Sequence, residues 1–253
     1  MSTAPIAVIT GAAAGLGRVI ATELLAQGWR VALTDRSPAL AAEAVAALCA
    51  ETPAHADRLL PLALDVLHKA DFEAALAAVQ AAWGAVPQAL VNNAALTLPT
   101  KVMDIAPEEF SRVLDVNLRG CLLGCQVFGA AMAAAGSGRI VNLASLAGQN
   151  GGTASGAHYA SSKAGILALT KIFARELGPR GVTVNAVAPG PMDLPSVHAM
   201  VPAERLAQIV QTIPVQQLGD PRFVARMVAL LLDAGAGFVT GAAWDVNGGL
   251  YMR

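Results

Sequence analysis

Seven short apolar runs recur along the chain, at Ile6–Thr10, Arg30–Thr34, Leu59–Leu64, Ala89–Val91, Arg139–Leu143, Thr183–Ala188 and Ala243–Val246. They are rich in Val, Ile and Leu, and apolar at nearly every position rather than at every second one. Strands buried on both faces of a parallel sheet read this way, because helices cover each face. Longer helical stretches separate them: Leu16–Gln27, Ala39–Cys49, Lys69–Trp83, Pro107–Ala135, Tyr159–Leu177 and Pro221–Leu232. Pro38, Pro107 and Pro221 fall near helix starts, where a missing N–H costs nothing. Gly28, Gly84, Gly136 and Gly178 fall where helix ends favour a residue that tolerates positive φ. The alternation predicts an α/β fold, one doubly wound parallel sheet with helices on both faces.

A chain of 253 residues suits one large domain of this kind. No internal repeat, low-complexity tail or interdomain linker interrupts it, so residues 1–253 read as one domain. The Pro/Gly-rich break at Pro189–Pro195 resembles a linker, but strand patterning resumes beyond it and it reads as a loop. The 17 basic and 18 acidic side chains leave a net charge of −1, which argues against a field that holds nucleic acid or an anionic membrane. The three cysteines, Cys49, Cys121 and Cys125, form no C-x-x-C pair and read as small core residues of a protein in the reducing cytoplasm. No basic stretch precedes the first apolar run, which therefore reads as a strand and not as a signal peptide. The segment Gly120–Gly138 carries no charge, a length that can just span a bilayer. Its glycines, Gln126 and Ser137 favour a packed helix followed by a turn.

Thr10-Gly11-Ala12-Ala13-Ala14-Gly15-Leu16-Gly17 follows the first strand and opens the first helix. Gly11, Ala14, Gly15, Leu16 and Gly17 are therefore candidate cofactor contacts. Glycines there permit a tight turn and let backbone N–H groups approach a pyrophosphate, and the helix N-terminus adds partial positive charge. Asp35 ends the second strand, 18 residues after Gly17. A carboxylate there can accept from both adenosine ribose hydroxyls and would repel a 2′-phosphate by roughly 4 kcal/mol at about 4 Å and an effective dielectric near 20. The adjacent Arg36 offers a partial counter-charge, so the balance favours NAD over NADP. The same Asp-Arg-Ser-Pro run also suits a plain turn.

Further residues extend the pattern. Asn92-Asn93-Ala94-Ala95 ends the fourth strand, Ser145 follows the fifth, and Tyr159-Ala160-Ser161-Ser162-Lys163 begins a later helix. Pro189-Gly190 ends the sixth strand and Asn247-Gly248-Gly249 lies near the C-terminus. In this order and spacing the chain resembles the short-chain dehydrogenase/reductase family, in its single-domain branch of about 250 residues with a Rossmann-like sheet. The resemblance implies an enzyme acting on the CH–OH group of an alcohol, or on the matching ketone, with NAD. It implies that Asn117, Ser145, Tyr159 and Lys163 are catalytic. It also implies that Asp65-Val66 flank the adenine, that Asn92 and Ala94 line the adenosine ribose with their backbone, and that Pro189, Gly190 and on to Met192 hold the carboxamide of the nicotinamide. Three positions depart from the family pattern: Ala95 replaces a Gly, Ser145 lies one residue further from Tyr159 than usual, and Leu194 replaces a Thr. The glycine-rich stretch 148–156 can absorb the extra residue.

Tyr159 and Lys163 are four apart and share a helix face. An ordinary phenol, with a pKa of about 10, needs about 4 kcal/mol of help to serve as a base near neutrality. One ammonium at about 4 Å supplies roughly that much at an effective dielectric near 20. The expected step has Tyr159 exchanging a proton with the alcohol oxygen while hydride passes between the carbinol carbon and the cofactor. Ser145 would hold the substrate oxygen, Lys163 would also hold the ribose hydroxyls, and Asn117 would anchor a water leading to solvent. No metal is expected. His158 faces elsewhere, as helical neighbours do, and is not expected to be catalytic. His198 lies in the presumed substrate loop, with nothing to position it.

The substrate loop is expected at about 190–217, with Leu194–Gln217 forming an apolar lid helix that carries Met200, Val201, Leu206, Ile209 and Ile213. A small or medium, partly apolar secondary alcohol or ketone fits such a wall. The resemblance implies a homotetramer, and two long helices carry small apolar faces suited to a symmetric interface. Two other readings stand beside this one: an NADPH-dependent 3-oxoacyl or carbonyl reductase on the same scaffold, and a dinucleotide-binding regulator without turnover. Enoyl reduction fits less well, since relatives with that chemistry space Tyr and Lys more widely.

Overall fold

The computed structural model describes residues 4–152 and 156–252. Seven strands form one sheet: β1 (Ile6–Ile9), β2 (Arg30–Asp35), β3 (Leu59–Ala63), β4 (Ala89–Asn92), β5 (Gly138–Leu143), β6 (Val182–Pro189) and β7 (Ala243–Val246). Every pairing is parallel, in the order β3-β2-β1-β4-β5-β6-β7. The order reverses direction between β1 and β4. A crevice for a ligand opens outside the carboxyl ends at such a switch point.

The helices are α1 (Gly15–Ala26), α2 (Pro38–Glu51), α3 (Lys69–Trp83), α4 (Pro107–Leu114), α5 (Gly120–Ala134), α6 (Ala147–Asn150), α7 (Ala157–Leu177), α8 (Pro195–Met200), α9 (Ala203–Thr212) and α10 (Pro221–Leu232). Strand periodicity divides them between two layers. Ala7 and Ile9 of β1 point into one core with Ile20 and Leu24 of α1, Ala41 of α2 and Val224 and Val228 of α10. Ile6 and Val8 point the other way, onto Phe72 of α3, Phe128 and Met132 of α5 and Ile166 of α7. Phe72 and Phe128 are fully buried, each stabilising the fold by about 1.5–3 kcal/mol. The uncharged stretch 120–138 is α5 and the turn into β5, and Cys121 and Cys125 lie buried on it, as small core residues do. The stretch Pro107–Ala134 is long and apolar enough to cross a membrane, yet α5 lies against the sheet.

Three expectations need correction. The predicted helix Pro107–Ala135 is interrupted by a π-helical turn at Asp115–Arg119. Its apolar periodicity runs through the turn, so the pattern did not betray it. The predicted lid helix is two helices, parted at Val201-Pro202. Pro202 lacks an N–H and disfavours helical backbone at Val201, which is extended (φ −111°, ψ 121°). Gly178 has helical backbone (φ −53°), and the left-handed turn falls on Gly181 instead (φ +79°). Of the stretch 148–156 expected to absorb the extra residue, residues 148–150 belong to α6, while residues 153–155 lie outside those described.

A buried polar chain crosses the second core. Asn92 Nδ2 donates to Asn142 Oδ1 (2.9 Å), Asn142 Nδ2 donates to Thr170 Oγ1 (3.0 Å), and Thr170 donates to the Ile166 carbonyl (2.8 Å). It ties β4 to β5 and β5 to α7. Asn142→Ala would strand both neighbours in a dry interior, and urea denaturation should show a loss of about 2–3 kcal/mol. An unchanged midpoint would contradict this account of the core.

Candidate active site

Most of the expected cofactor residues stand at or just past the carboxyl ends of parallel strands. Beyond β1, Gly11 and Gly15 adopt left-handed backbone (φ +62° and +57°). A Cβ on Gly11 would lie 2.8 Å from Ala94 Cα, and one on Gly17 would lie 2.7 Å from the Gly11 carbonyl oxygen. Only glycine fits at either place. Ala14 precedes α1 in extended conformation and supplies no side-chain cap, so the first-turn N–H groups have no side-chain partner. Two residues that sequence reasoning missed brace this loop. Thr10 Oγ1 accepts from the N–H groups of Asn93 (3.0 Å) and Ala94 (3.1 Å), and Asn93 Nδ2 donates to the carbonyls of Thr10 and Gly11 (2.9 Å each). The paired Asn92-Asn93 at a strand end was the available signal.

Asp35 closes β2 half-buried, and its Oδ1 accepts from the Ser37 N–H (3.1 Å), so the turn role and a place at the crevice coexist. Arg36 beside it is exposed. Asp65 Oδ1 accepts from the Leu67 N–H (3.0 Å), and its own N–H donates to Asp71 Oδ2 (2.9 Å). Val66 is buried against Gly120, where a Cβ would come within 2.9 Å of Val66 Cβ. The Asn92 carboxamide turns inward to Asn142 and to Cys125 Sγ (3.5 Å), away from the crevice. The neighbouring Cys121 thiol, and then burial, push the Cys125 thiol well above its ordinary range, so it stays protonated. At the other end of the crevice the Pro189 carbonyl accepts from the Leu146 N–H (2.9 Å), joining the ends of β5 and β6. Gly190 packs on Asn247, Met192 is buried, and Leu194 extends into α8.

The four residues expected to be catalytic come from three elements. Lys163 is only 3 % exposed, and its Nζ donates to the Leu143 carbonyl at the end of β5 (2.6 Å). The same Nζ lies 5.5 Å from the centroid of the half-buried Tyr159 ring, one helical turn earlier. Ser145, just past β5, accepts from the Ala147 N–H through Oγ (3.1 Å), a bond that does not use its hydroxyl hydrogen. Asn117 is buried in the π-helical turn, where such turns recur at functional sites. Its Oδ1 accepts from the Leu96 N–H (2.7 Å), and its Nδ2 donates to the Leu96 carbonyl and to Ser162 Oγ (3.0 Å each). Ser162 in turn donates to the Tyr159 carbonyl (2.7 Å). The Asn117 carboxamide is thus occupied by protein groups, a link that spacing alone did not reveal.

A strand-end loop with no room for a Cβ at Gly11 or Gly17, a helix start with no side-chain cap and a line of strand termini together fit a dinucleotide laid across the sheet edge. Residues 11–251 match a family model described as Enoyl-(Acyl carrier protein) reductase. An uncharacterized short-chain type dehydrogenase/reductase of Sinorhizobium fredii is 39% identical over 250 residues, covering 98% of this chain and 97% of that one. A (3R)-3-hydroxyacyl-CoA dehydrogenase of Canis lupus familiaris is 35% identical over 254 residues, with 98% and 96% covered. The crystal structure of a 3-oxoacyl-[acyl-carrier protein] reductase with bound NAD from Brucella melitensis superposes with a TM-score of 0.86 at 36% identity, with 98% and 92% covered. The chain belongs to the short-chain dehydrogenase/reductase family and is a dinucleotide-dependent oxidoreductase of a carbonyl/hydroxyl substrate. Gly11→Ala should weaken NADH binding at least about tenfold in a fluorescence titration, through both strain and the clash with Ala94. Unchanged affinity would show that this loop is not the cradle.

Proposed function

We propose that this chain interconverts a 3-hydroxyacyl thioester and its 3-oxoacyl counterpart with NAD(H), using Tyr159 as general acid and base. The observation that carries the reading is the buried Lys163 ammonium, held at the sheet's carboxyl edge one helical turn from the Tyr159 ring. The similar dehydrogenase and reductase support the acyl thioester over a broader range of alcohols. The four-residue spacing of Tyr159 and Lys163 favours carbonyl chemistry over enoyl reduction.

The bound nicotinamide supplies or accepts the hydride. Tyr159 Oη takes the alcohol proton in oxidation and returns it in reduction. The Lys163 Nζ, 5.5 Å from the ring centroid, sets a positive charge beside the phenol. One Lys163 N–H is spent on Leu143, and the other two suit ribose hydroxyls. The Ser145 hydroxyl donates to the substrate oxygen as negative charge grows there. Because the Asn117 carboxamide is occupied, it aligns the segment after β4 with α7. Asp35 selects NAD by repelling a 2′-phosphate. Val201, Leu206, Val210 and Leu218 line an apolar pocket beside α9, which supports a wall for an acyl chain.

The test is a spectrophotometric assay of 3-oxoacyl thioester reduction. NADH should exceed NADPH by at least about a hundredfold in kcat/KM, and Asp35→Ala should shrink that ratio by at least about tenfold. A preference for NADPH, or no turnover of any such thioester, would overturn the assignment. We further propose a homotetramer, supported by the exposed apolar side chains of Phe223, Leu230, Phe238 and Met252 at the C-terminal end. Light scattering at micromolar concentration should return four times the chain mass, and a monomer would contradict it.

A further inference from the structure

His158 and Glu109 take no part in the proton transfer above, yet they form a closed unit around the backbone of Tyr159. The His158 ring is completely buried in the first turn of α7. Its Nδ1 accepts from the Tyr159 N–H (2.8 Å), a hydrogen shared with the Gly156 carbonyl (3.0 Å). A ring nitrogen that accepts carries no proton, so the other nitrogen bears it. Nε2 therefore donates to Glu109 Oε1 of α4, at 2.9 Å. Gly156 is the N-cap of α7 and has no side chain to satisfy the first-turn amides, while a Cβ there would lie 2.8 Å from His158 Nδ1. Glycine at 156 therefore removes the ordinary cap and opens room for the imidazole to replace it.

Glu109 is itself anchored. A hydrogen bond from the Thr100 side chain, then that from His158, hold its carboxyl below the usual carboxylate range, and Arg112 adds to this, so it remains the acceptor. Thr100 lies in the segment after β4 whose Leu98 carbonyl accepts from the Gly156 N–H (3.2 Å). Two chain segments thus converge on one turn of helix.

We propose that Glu109 and His158 are a positioning pair for Tyr159, with the imidazole fixing the main chain that carries the phenol and the carboxylate fixing the imidazole. The pair rests on the reading of Tyr159 as the proton-transfer group. Neither side chain touches substrate. The ring is a spacer between α4 and the start of α7, and its tautomer is set by the carboxylate. A shift of the phenol by a fraction of an ångström would leave cofactor affinity intact while slowing turnover.

The test compares two replacements of one ring. In His158→Asn, Oδ1 takes the place of Nδ1 as acceptor for the Tyr159 N–H. In His158→Gln the side chain reaches toward Glu109 and that near acceptor is lost. His158→Gln should lower kcat about tenfold to a hundredfold with KM for NADH unchanged, and His158→Asn should recover most of the loss. Equal activity in the two variants, or wild-type kcat in both, would overturn the proposal. A second readout does not depend on turnover. The chain has only two tyrosines, so in a Tyr251→Phe background the near-ultraviolet phenolate absorbance reports Tyr159 alone. The Gln variant should move its titration midpoint and the Asn variant should not; identical midpoints would overturn the pairing even if the wild type reduced nothing. Should His158→Gln fail to fold, Glu109→Ala leaves the ring in place but unanchored and carries the same expectation for kcat and for the midpoint.

Discussion

A buried ammonium is expensive, and this fold is arranged around holding one. Lys163 is almost wholly removed from solvent, with its Nζ on the carbonyl that ends β5. An unpaired charge in such a place would cost several kcal/mol. The parallel sheet makes the arrangement tolerable. It turns strand-end carbonyls toward one edge, and it brings the first turns of α7 to that edge, where Lys163 meets Leu143. The same edge carries the glycine loop, Asp35 and Ser145, so the buried cation and the proposed cofactor cradle are consequences of one topology.

The rest of the site keeps that geometry from drifting. The chain from Asn92 through Asn142 to Thr170 locks β4, β5 and α7 together below the crevice. Asn117 joins Leu96 to Ser162, and Ser162 joins the Tyr159 carbonyl. His158 holds the Tyr159 N–H from the opposite side. The main chain of the tyrosine is therefore gripped at both its N–H and its carbonyl, while its ring stays half-exposed toward the crevice. A proton-transfer group needs both, a fixed origin and an open end.

Much of this was legible in the amino-acid sequence, for a physical reason. Runs buried on both faces and helices opened by proline leave strong local marks, and Lys69–Trp83 and Pro221–Leu232 appear with the predicted ends. The glycine loop was readable because only glycine satisfies both its backbone and its crowding. What stayed hidden depends on pairing in space. The π-helical turn around Asn117 leaves the apolar periodicity intact, and Pro202 divides the lid although the apolar pattern continues past it. The role of His158 stays hidden because adjacent helical residues face different ways. That is true of its ring, but the ring acts on its neighbour's backbone, which side-chain periodicity does not report. Asn93 and Thr10 leave no comparable mark, since their role is to brace a loop.

The central claim is that one phenol, beside one buried ammonium, moves the proton. The most direct measurement is steady-state turnover of Tyr159→Phe together with its NADH affinity. The account predicts turnover lower by at least about a thousandfold with the dissociation constant for NADH essentially unchanged, because the missing oxygen acts in the transition state and not in holding the cofactor. Turnover within a few-fold of the wild type would contradict it.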